Sequence, residues 1–434
     1  LWIGGLDEND SLHFAGERYR QRGQDFQYGP ISDNYDSLYH DKWIRLWKLN
    51  KEEVDYHTSN WNQAGYQPID AITNWPGNGN VQNGQATQLA PYYDYDGDEI
   101  YNPLNGDYPL IRGDQSILFI SNDDLYHSES NGQSLGLEIH GMVYGYNAPE
   151  NPELNNTVFI HYDLINRSEY TYHDTYVGMF TDFDLGYAWD DYVGSDVEHG
   201  SYYCYNGTEV DGAGEPSAYG ENPPVQSVTV LAGPFMDPNQ VDDPDGGCDY
   251  SVNGLNFDNG IVDDERMGLT GFFYVNNSSG VQGDPIHAPE YYNYLKGLWK
   301  DNSHMLYGGN AHSSNPGTVG PECKYMFPWN TDACNWGTNG IPPNGGYNQG
   351  DKYWTEEEAG NAPGDRRGIG TMGPFTFAPG EIQEIELAFV TAESAGDVLS
   401  TVNSLFEDLD NIFTRVDNGE IIVPNEKLNV NEVS

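Results

Sequence analysis

Carboxylates crowd one short segment that has the spacing of a metal-binding loop. The segment reads YYDYDGDEIYNPLNGDYP, and its candidate ligands are Asp94, Asp96, Asp98, Asn102, Asn105 and Asp107. Alternating oxygen-bearing side chains can wrap a cation that takes about six to eight oxygen ligands, which is typical of Ca²⁺. The pattern predicts a structural calcium site, and an acidic turn without an ion is the alternative.

The loop departs from an EF-hand at two positions. Glu99 stands where an EF-hand has the glycine of its sharp turn, and Asn105 stands where it has a bidentate glutamate. The donors are still hard oxygen ligands, and an irregular loop rarely gives the strict octahedron that Mg²⁺ requires. Calcium is therefore the cofactor that we expect, in a structural role.

Further acidic clusters are candidates for the same ion. One cluster, TDFDLGYAWDDYVGSD, contributes Asp182, Asp184, Asp190, Asp191 and Asp196. Another, NFDNGIVDDER, contributes Asp258, Asn259, Asp263, Asp264 and Glu265, and a looser one is DPNQVDDPDGGCD. Like charges this close together must be neutralised or protonated. We expect calcium at these clusters, with solvated acidic loops as the alternative.

Paired carboxylates near aromatic residues also fit a glycan-active enzyme. In that hypothesis Asp182 or Asp184 is the nucleophile and another carboxyl group is the acid. Trp299, Trp329, Trp336 and Trp354 could stack on sugar rings, although aromatic residues of a β protein more often fill the core. The sequence has no GxSxG, HExxH, Walker or dinucleotide motif. It favours a non-catalytic protein, with a glycan-binding or glycan-hydrolysing protein as the alternative.

The charge of the chain limits its partners. The 434 residues include 18 Lys and Arg against 68 Asp and Glu, which gives a formal charge of −50. Such a charge repels nucleic acid and anionic membranes, and no run approaches the roughly 20 apolar residues of a membrane span. The 33 Tyr, 16 Phe and 10 Trp are too many for a disordered acidic chain. We expect a folded protein that binds no nucleic acid and inserts into no membrane.

The four cysteines allow two disulfide bonds. Cys323 and Cys334 enclose a short loop that a bridge could close, which leaves Cys204 and Cys248 as the second pair. Free buried thiols are the alternative. Their spacing and the absence of neighbouring histidine pairs disfavour zinc.

Alternating polarity predicts a series of β-strands. They lie at residues 115–121, 135–146, 156–166, 173–183, 227–233 and 269–276. In the third of these, Leu164 falls on an apolar face and His161 on a mixed face. The segment GPFTFAPGEIQEIELAFVTA predicts a hairpin that turns at Pro379 and Gly380.

One long helix is predicted after that hairpin, within residues 393–415. Its apolar stripe is Val398, Val402, Leu405, Leu409 and Ile412. Ser394 and Asp397 fit a capping box at its start.

These elements predict an all-β fold, a mainly antiparallel β-sandwich with long ordered loops plus one C-terminal helix. We expect a loop-rich N-terminal region with the calcium loop at 1–114, the sandwich core with loop insertions at 115–393, and the helix and tail at 394–434.

Several longer strings together resemble a known family. They are LWIGGLDENDSLHFAGERY, APYYDYDGDEIYNPLNGDYPLIRGDQ, LNNTVFIHYDLINRS, YHDTYVGMFTDFDLGYAWDDYVGSD, KYMFPWNTDACNWGT and DRRGIGTMGPFTFAPGE. The chain resembles large secreted surface proteins of Bacteroidota that usually carry a C-terminal sorting domain for type IX secretion. The chain stops at Ser434 without that domain, so the resemblance implies a processed form.

The resemblance implies export across the outer membrane and an extracellular or cell-surface location. We therefore expect a structural subunit of a cell-surface assembly or an adhesin. Self-association or contact with other surface proteins is the expected mode of interaction, and glycans are a further class of partner.

Overall fold

Two antiparallel β-sheets form the centre of the protein. The structure is a computed structural model that describes residues 1–18, 22–244, 253–343 and 352–423. In those ranges the first sheet has five strands: β1 (Trp2–Leu6), β2 (Leu12–Gly16), β10 (Tyr172–Phe183), β16 (Gly271–Val275) and β17 (Arg366–Phe377). Their order across the sheet is β16-β17-β10-β1-β2.

The second sheet has nine strands within the described residues. They are β3 (Gln27–Tyr28), β4 (Trp47–Asn50), β7 (Gln115–Asn122), β8 (Leu137–Gly145), β9 (Thr157–Asn166), β11 (Asp191–Asp196), β12 (Ser201–Asn206), β15 (Val225–Ala232) and β18 (Ile382–Ala392). The order is β11-β12-β15-β18-β9-β8-β7-β3, and β4 also pairs with β7.

The remaining elements in the described residues are two short hairpins and a set of helices outside the two large sheets. The hairpins pair β5 (Tyr92–Tyr93) with β6 (Tyr108–Pro109), and β13 (Val210–Asp211) with β14 (Gly220–Glu221). The α-helices in the described part of the chain are α1 (Ser37–Trp43), α2 (Lys51–Asn60), α3 (Asp70–Thr73), α4 (Pro152–Asn155), α5 (Ala288–Leu295) and α6 (Val398–Asp417).

An apolar core fills the space between the two large sheets. Trp2, Val177 and Phe272 reach it from the five-stranded sheet, while Leu164 and Leu387 reach it from the nine-stranded sheet. All five side chains are fully buried, and removal of such apolar area from water is the main favourable term in folding. The predicted fold class, an all-β sandwich with a C-terminal helix, is confirmed.

The outer face of the nine-stranded sheet carries two separate apolar patches. Helix α6 covers one patch, where Leu405 packs with Val390 of β18. The N-terminal region covers the other patch, where Trp47 packs with Leu118 of β7. Polar side chains of β8, β9 and β18 lie on the same face between the patches.

The six strands predicted from alternating polarity are confirmed. They correspond to β7, β8, β9, β10, β15 and β16. In β9 the predicted faces are also correct, since Leu164 lies in the core between the sheets while His161 faces outward beside Glu386. Alternation identified these strands because each has one face in the core and the other in a more polar layer.

Other strands were not predicted from the sequence. Strands β11 and β12 are buried along their whole length, so they show no alternation of polarity. The region 1–114 supplies β1 and β2 to one large sheet and β3 and β4 to the other. The division of the chain at residue 115 stays a prediction.

The predicted C-terminal hairpin is wrong. The turn exists, with Gly380 at a φ of 76°, but β17 pairs with β10 and β16 while β18 pairs with β9 and β15. The turn therefore carries the chain from one sheet of the sandwich to the other. Turn chemistry shows where the chain reverses but not which strand becomes the partner.

The predicted disulfide pairs are also wrong. Cys204 lies in β12 and Cys323 in a loop, and both are free, buried thiols. Cys334 is disulfide-bonded, so its bond is not to Cys323. Cys248 lies outside the described residues. Loop length alone suggested the pairing, whereas Cys204 and Cys323 each pack into the hydrophobic core.

Helix α6 begins and packs largely as its sequence predicts. Asp397 is the N-cap and accepts a hydrogen bond from the Ser400 backbone N–H at 2.8 Å. Ser394 instead accepts from the Gly396 N–H at 3.1 Å, so the predicted capping box is wrong. The stripe predicted to be apolar does face the sheet, and Leu405 and Leu409 are fully buried.

Removal of one side chain from this stripe tests the packing of α6. Leu405→Ala should lower the free energy of unfolding by about 2–5 kcal/mol, because it leaves a cavity in a dry interface. The matched control is Leu399→Ala on the same helix, since Leu399 is 51% exposed; it should change stability by less than about 0.5 kcal/mol. Equal losses for the two variants in urea unfolding would contradict the observed packing.

Candidate metal centre

The hairpin of β5 and β6 presents the predicted calcium loop, residues 94–107. Tyr93 pairs with Tyr108 at its base, and the two rings stack with centroids 4.9 Å apart. The stacked rings and the paired backbone fix the distance between the two ends of the loop. The acidic segment therefore projects as a closed loop from a rigid base.

Asp94, Asp96 and Asp98 converge at the tip of this loop. One carboxylate oxygen from each lies within 4.8 Å of the others. Asp94 accepts hydrogen bonds from the backbone N–H groups of Gly97 at 2.7 Å and Glu99 at 2.8 Å. These bonds, with that of Glu99 the strongest, lower the pKa of Asp94 below its usual value. The three carboxylates are thus grouped as a hard cation requires.

Glu99 adopts the conformation that glycine usually supplies in such a loop. Its φ is 61° and that of Gly97 is 74°. A side chain in this left-handed region is strained by roughly 1 kcal/mol or more, and the bond from the Glu99 N–H to Asp94 holds it there. The departure from the EF-hand pattern therefore leaves the turn itself intact.

The remaining predicted ligands of the loop have other contacts. Asp107 is fully buried and accepts from the Tyr95 N–H at 2.9 Å and the Asn102 N–H at 2.7 Å. Asn105 donates its amide to Asp96 Oδ2 at 2.9 Å. Asp107 closes the base of the loop, and the tip carboxylates are the group that can face an ion.

A second acidic site combines two predicted residues with one that the sequence did not suggest. Asp190 and Asp191 lie close to Asp211 of β13, whose charge raises the pKa of both after the effect of burial. Asp190 Oδ1 and Asp191 Oδ1 are buried without a hydrogen-bond partner. Burial, followed by the charge of Asp190, raises the pKa of Asp191 to about 8. A buried carboxyl group in this state needs a proton or a cation.

The other residues of that predicted cluster lie elsewhere. Asp182 accepts from Arg367 Nε at 2.7 Å, and Asp184 is exposed. Asp196 contacts His199 Nδ1 at 2.6 Å, and His199 Nε2 lies 3.1 Å from Asp410 of α6. The structure therefore does not gather these five aspartates into one site, because β10 and β11 carry them in different directions.

The NFDNGIVDDER segment folds against residues 237–244. Asp263 accepts from the backbone N–H groups of Asn239 and Gln240, both at 2.7 Å. Glu265 accepts from the Asp243 N–H at 2.5 Å, and Asp258 adopts a φ of 53°. These bonds connect the two predicted acidic segments, although part of the looser one lies outside the described residues. Backbone amides thus stabilise the carboxylates of Asp263 and Glu265, whereas Asp264 Oδ1 is buried without a hydrogen-bond partner.

A further group, which combines one histidine with two carboxylates, was not predicted from the sequence. His161, Asp163 and Glu384 place one ligand atom each within 4.8 Å of one another. The only local signal was the mixed outward face of β9, because Glu384 arrives from a strand far away in the sequence.

Two of the four tryptophans considered for sugar stacking are core residues. Trp299 and Trp354 are fully buried. Trp329 and Trp336 are half-buried and pack against Phe406 and Tyr325, with ring centroids 5.9 and 5.8 Å apart. These four tryptophans therefore pack against other parts of the protein.

The chain matches no family model and no curated protein. Within the residues that the structure describes, no helix has the length and apolar character to cross a membrane.

The pH dependence of stability tests the buried state of Asp191. Its folded pKa of about 8 lies above the unfolded value of about 3.9, so without metal its contribution is complete below about pH 4 and is lost as pH rises towards 8. Asp191→Asn should therefore raise the melting temperature at pH 8 in chelator and change it little near pH 4. Asp184→Asn is the exposed control and should have no effect at either pH.

A different result would contradict this account of Asp191. If Asp191→Asn lowers the melting temperature equally at both pH values in chelator, the carboxyl group is not held in a protonated, unpaired state.

Proposed function

We propose that this protein is a calcium-stabilised, non-catalytic protein of the cell surface, where it acts as a structural subunit of an assembly or as an adhesin. The observation that carries the proposal is the convergence of Asp94, Asp96 and Asp98 at the tip of a closed loop. A bound ion there would rigidify an exposed loop without any reaction. Calcium fits the all-oxygen donor set and the irregular geometry.

An extracellular location is consistent with the chemistry of the chain. The disulfide bond of Cys334 is of a kind that persists in oxidising compartments. Extracellular calcium modules bind with dissociation constants of about 10⁻⁴–10⁻³ M, so weak sites are useful outside cells. The resemblance to secreted Bacteroidota surface proteins favours the same location.

Exposed apolar side chains near the N-terminus support the proposed contacts with other proteins. Leu38, Ile44 and Leu46 lie on and just after α1, and they are 75%, 66% and 63% exposed. Exposed apolar side chains of this size are candidates for contact with another protein. The formal charge of −50 opposes association of identical copies, so cations that reduce the repulsion should promote it.

Removal of the loop carboxylates is the direct test of the calcium role. In titration calorimetry, Asp96→Ala with Asp98→Ala should weaken calcium binding by about tenfold or more, because the loop loses two of its three converged ligands. The same double variant should lose the rise in melting temperature that calcium gives the parent protein, while its strands remain folded by circular dichroism.

The matched control removes two exposed carboxylates elsewhere in the N-terminal region. Asp41→Ala with Glu52→Ala changes the net charge by the same amount, and it should leave calcium binding and stabilisation intact. If the parent gives no calcium heat and its melting temperature is the same with and without chelator, the calcium role is wrong.

Light scattering tests whether the protein associates with itself as a structural subunit would. The molar mass at high protein concentration should rise with added calcium, and Leu38→Ser with Ile44→Ser should reduce that rise without a change in the fold. A protein that stays monomeric at every calcium and protein concentration is not a self-assembling subunit, and a single-copy adhesin then becomes the better description.

A further inference from the structure

Side chains from two neighbouring strands meet on the outer face of the nine-stranded sheet. Glu384 of β18 lies opposite Asp163 of β9, and Glu386 lies opposite His161. Because residues two apart on a strand share one face, these four side chains form two adjacent rows. The sheet register, rather than a flexible loop, sets their positions.

The distances within this group suit a small metal ion. His161 Nε2 is hydrogen-bonded to Asp163 Oδ1 at 2.9 Å, a bond that a metal would replace, and it lies 3.8 Å from Glu384 Oε1. A tetrahedral ion with bonds of about 2.0–2.1 Å keeps its ligands about 3.3–3.4 Å apart. The two observed distances lie on either side of that value.

Glu386 holds the imidazole in the orientation that a metal ligand needs. His161 Nδ1 lies 3.0 Å from Glu386 Oε2, and Glu386 Oε1 accepts from the Tyr144 hydroxyl at 2.8 Å. Glu386 is fully buried, so its carboxylate is fixed in place. A carboxylate on one imidazole nitrogen, with the other nitrogen aimed at the ion, is the usual support for a histidine ligand.

Glu384 provides an independent indication of a missing ligand. The residue is 7% exposed, and its Oε2 is buried without a hydrogen-bond partner. Arg266 donates to the main-chain carbonyl of Glu384. A buried carboxylate oxygen without a hydrogen-bond partner is unfavourable, and a bound cation removes the penalty.

A cavity of about 410 Å³ opens beside the group. His161, Asp163 and Glu384 line it together with Arg112, His140 and Tyr146. The three ligand atoms approach from the sheet, so the opposite side of an ion would face this cavity. The space is large enough for a water molecule in the remaining coordination position.

We propose that His161, Asp163 and Glu384 bind a divalent transition-metal ion such as zinc, with water at the position that faces the cavity. An imidazole nitrogen and two carboxylate oxygens suit such an ion better than calcium, which prefers oxygen ligands alone. Three protein ligands and a water are a common zinc arrangement. The site is separate from the calcium loop, and the proposal does not depend on the calcium role.

Zinc titration of the chelator-stripped, dialysed full chain tests the proposal. Calorimetry should give one zinc bound per chain through this group and a higher melting temperature with zinc. Glu384→Gln should weaken that binding by about tenfold or more. Without metal, this variant should be as stable as the parent or more stable, because it removes the charge from a buried group whose Oε2 has no hydrogen-bond partner. Asp96→Asn in the calcium loop is the control and should leave zinc binding unchanged.

The opposite pattern would overturn the proposal. If the parent binds no zinc, or if the parent, Glu384→Gln and Asp163→Asn bind it equally, the group is an ion-pair network without a metal. If Glu384→Gln is less stable than the parent in the absence of metal, Glu384 has a partner and the argument from its unpaired oxygen fails.

Discussion

Neutralisation of carboxylates is the constraint on which this fold depends, because 68 acidic side chains are set against 18 basic ones. A buried carboxylate is tolerated only when hydrogen bonds, a cation or a proton compensate its charge. Asp123 accepts from the backbone N–H groups of Leu135 and Leu137, both at 2.6 Å. Glu356 instead pairs with Arg366 Nη2 at 2.8 Å. The backbone and the few guanidinium groups thus serve as counter-charges throughout the sandwich.

The backbone N–H groups and cationic side chains do not compensate every buried carboxylate oxygen. Asp190, Asp191 and Glu384 each retain a buried carboxylate oxygen without a partner, and the Asp94 loop groups three carboxylates at its tip. Metal ions are counter-charges that an acidic protein can bind from its surroundings. In this account the sandwich supplies rigid positions, and ions complete the sites where protein donors are insufficient. Calcium suits the oxygen-only loop, whereas the histidine of the β9 and β18 group favours a softer ion.

Local signals were sufficient for much of the fold and for the tip of the loop. Alternation located six strands, the helical stripe located α6, and the spacing of Asp94, Asp96 and Asp98 located their cluster. The strands that pair with β18 could not be predicted from the sequence, because the residues of a turn do not determine which sheet the next strand joins. It also could not supply the group around His161, whose ligands come from strands that meet only in the folded protein. Asp191 was expected to be a calcium ligand in an acidic cluster with Asp182 and Asp184, but it begins a fully buried strand away from them.

A crystal structure of the calcium-loaded protein, with anomalous diffraction data, tests the central claim most directly. The account predicts an anomalous peak bonded to Asp94, Asp96 and Asp98 at about 2.3–2.6 Å. Data from a crystal of the Asp96→Ala and Asp98→Ala variant should lack that peak while the sandwich is unchanged. A loop that keeps the same geometry at saturating calcium, with only water between its carboxylates, would contradict the claim that cations complete the charge balance of this fold.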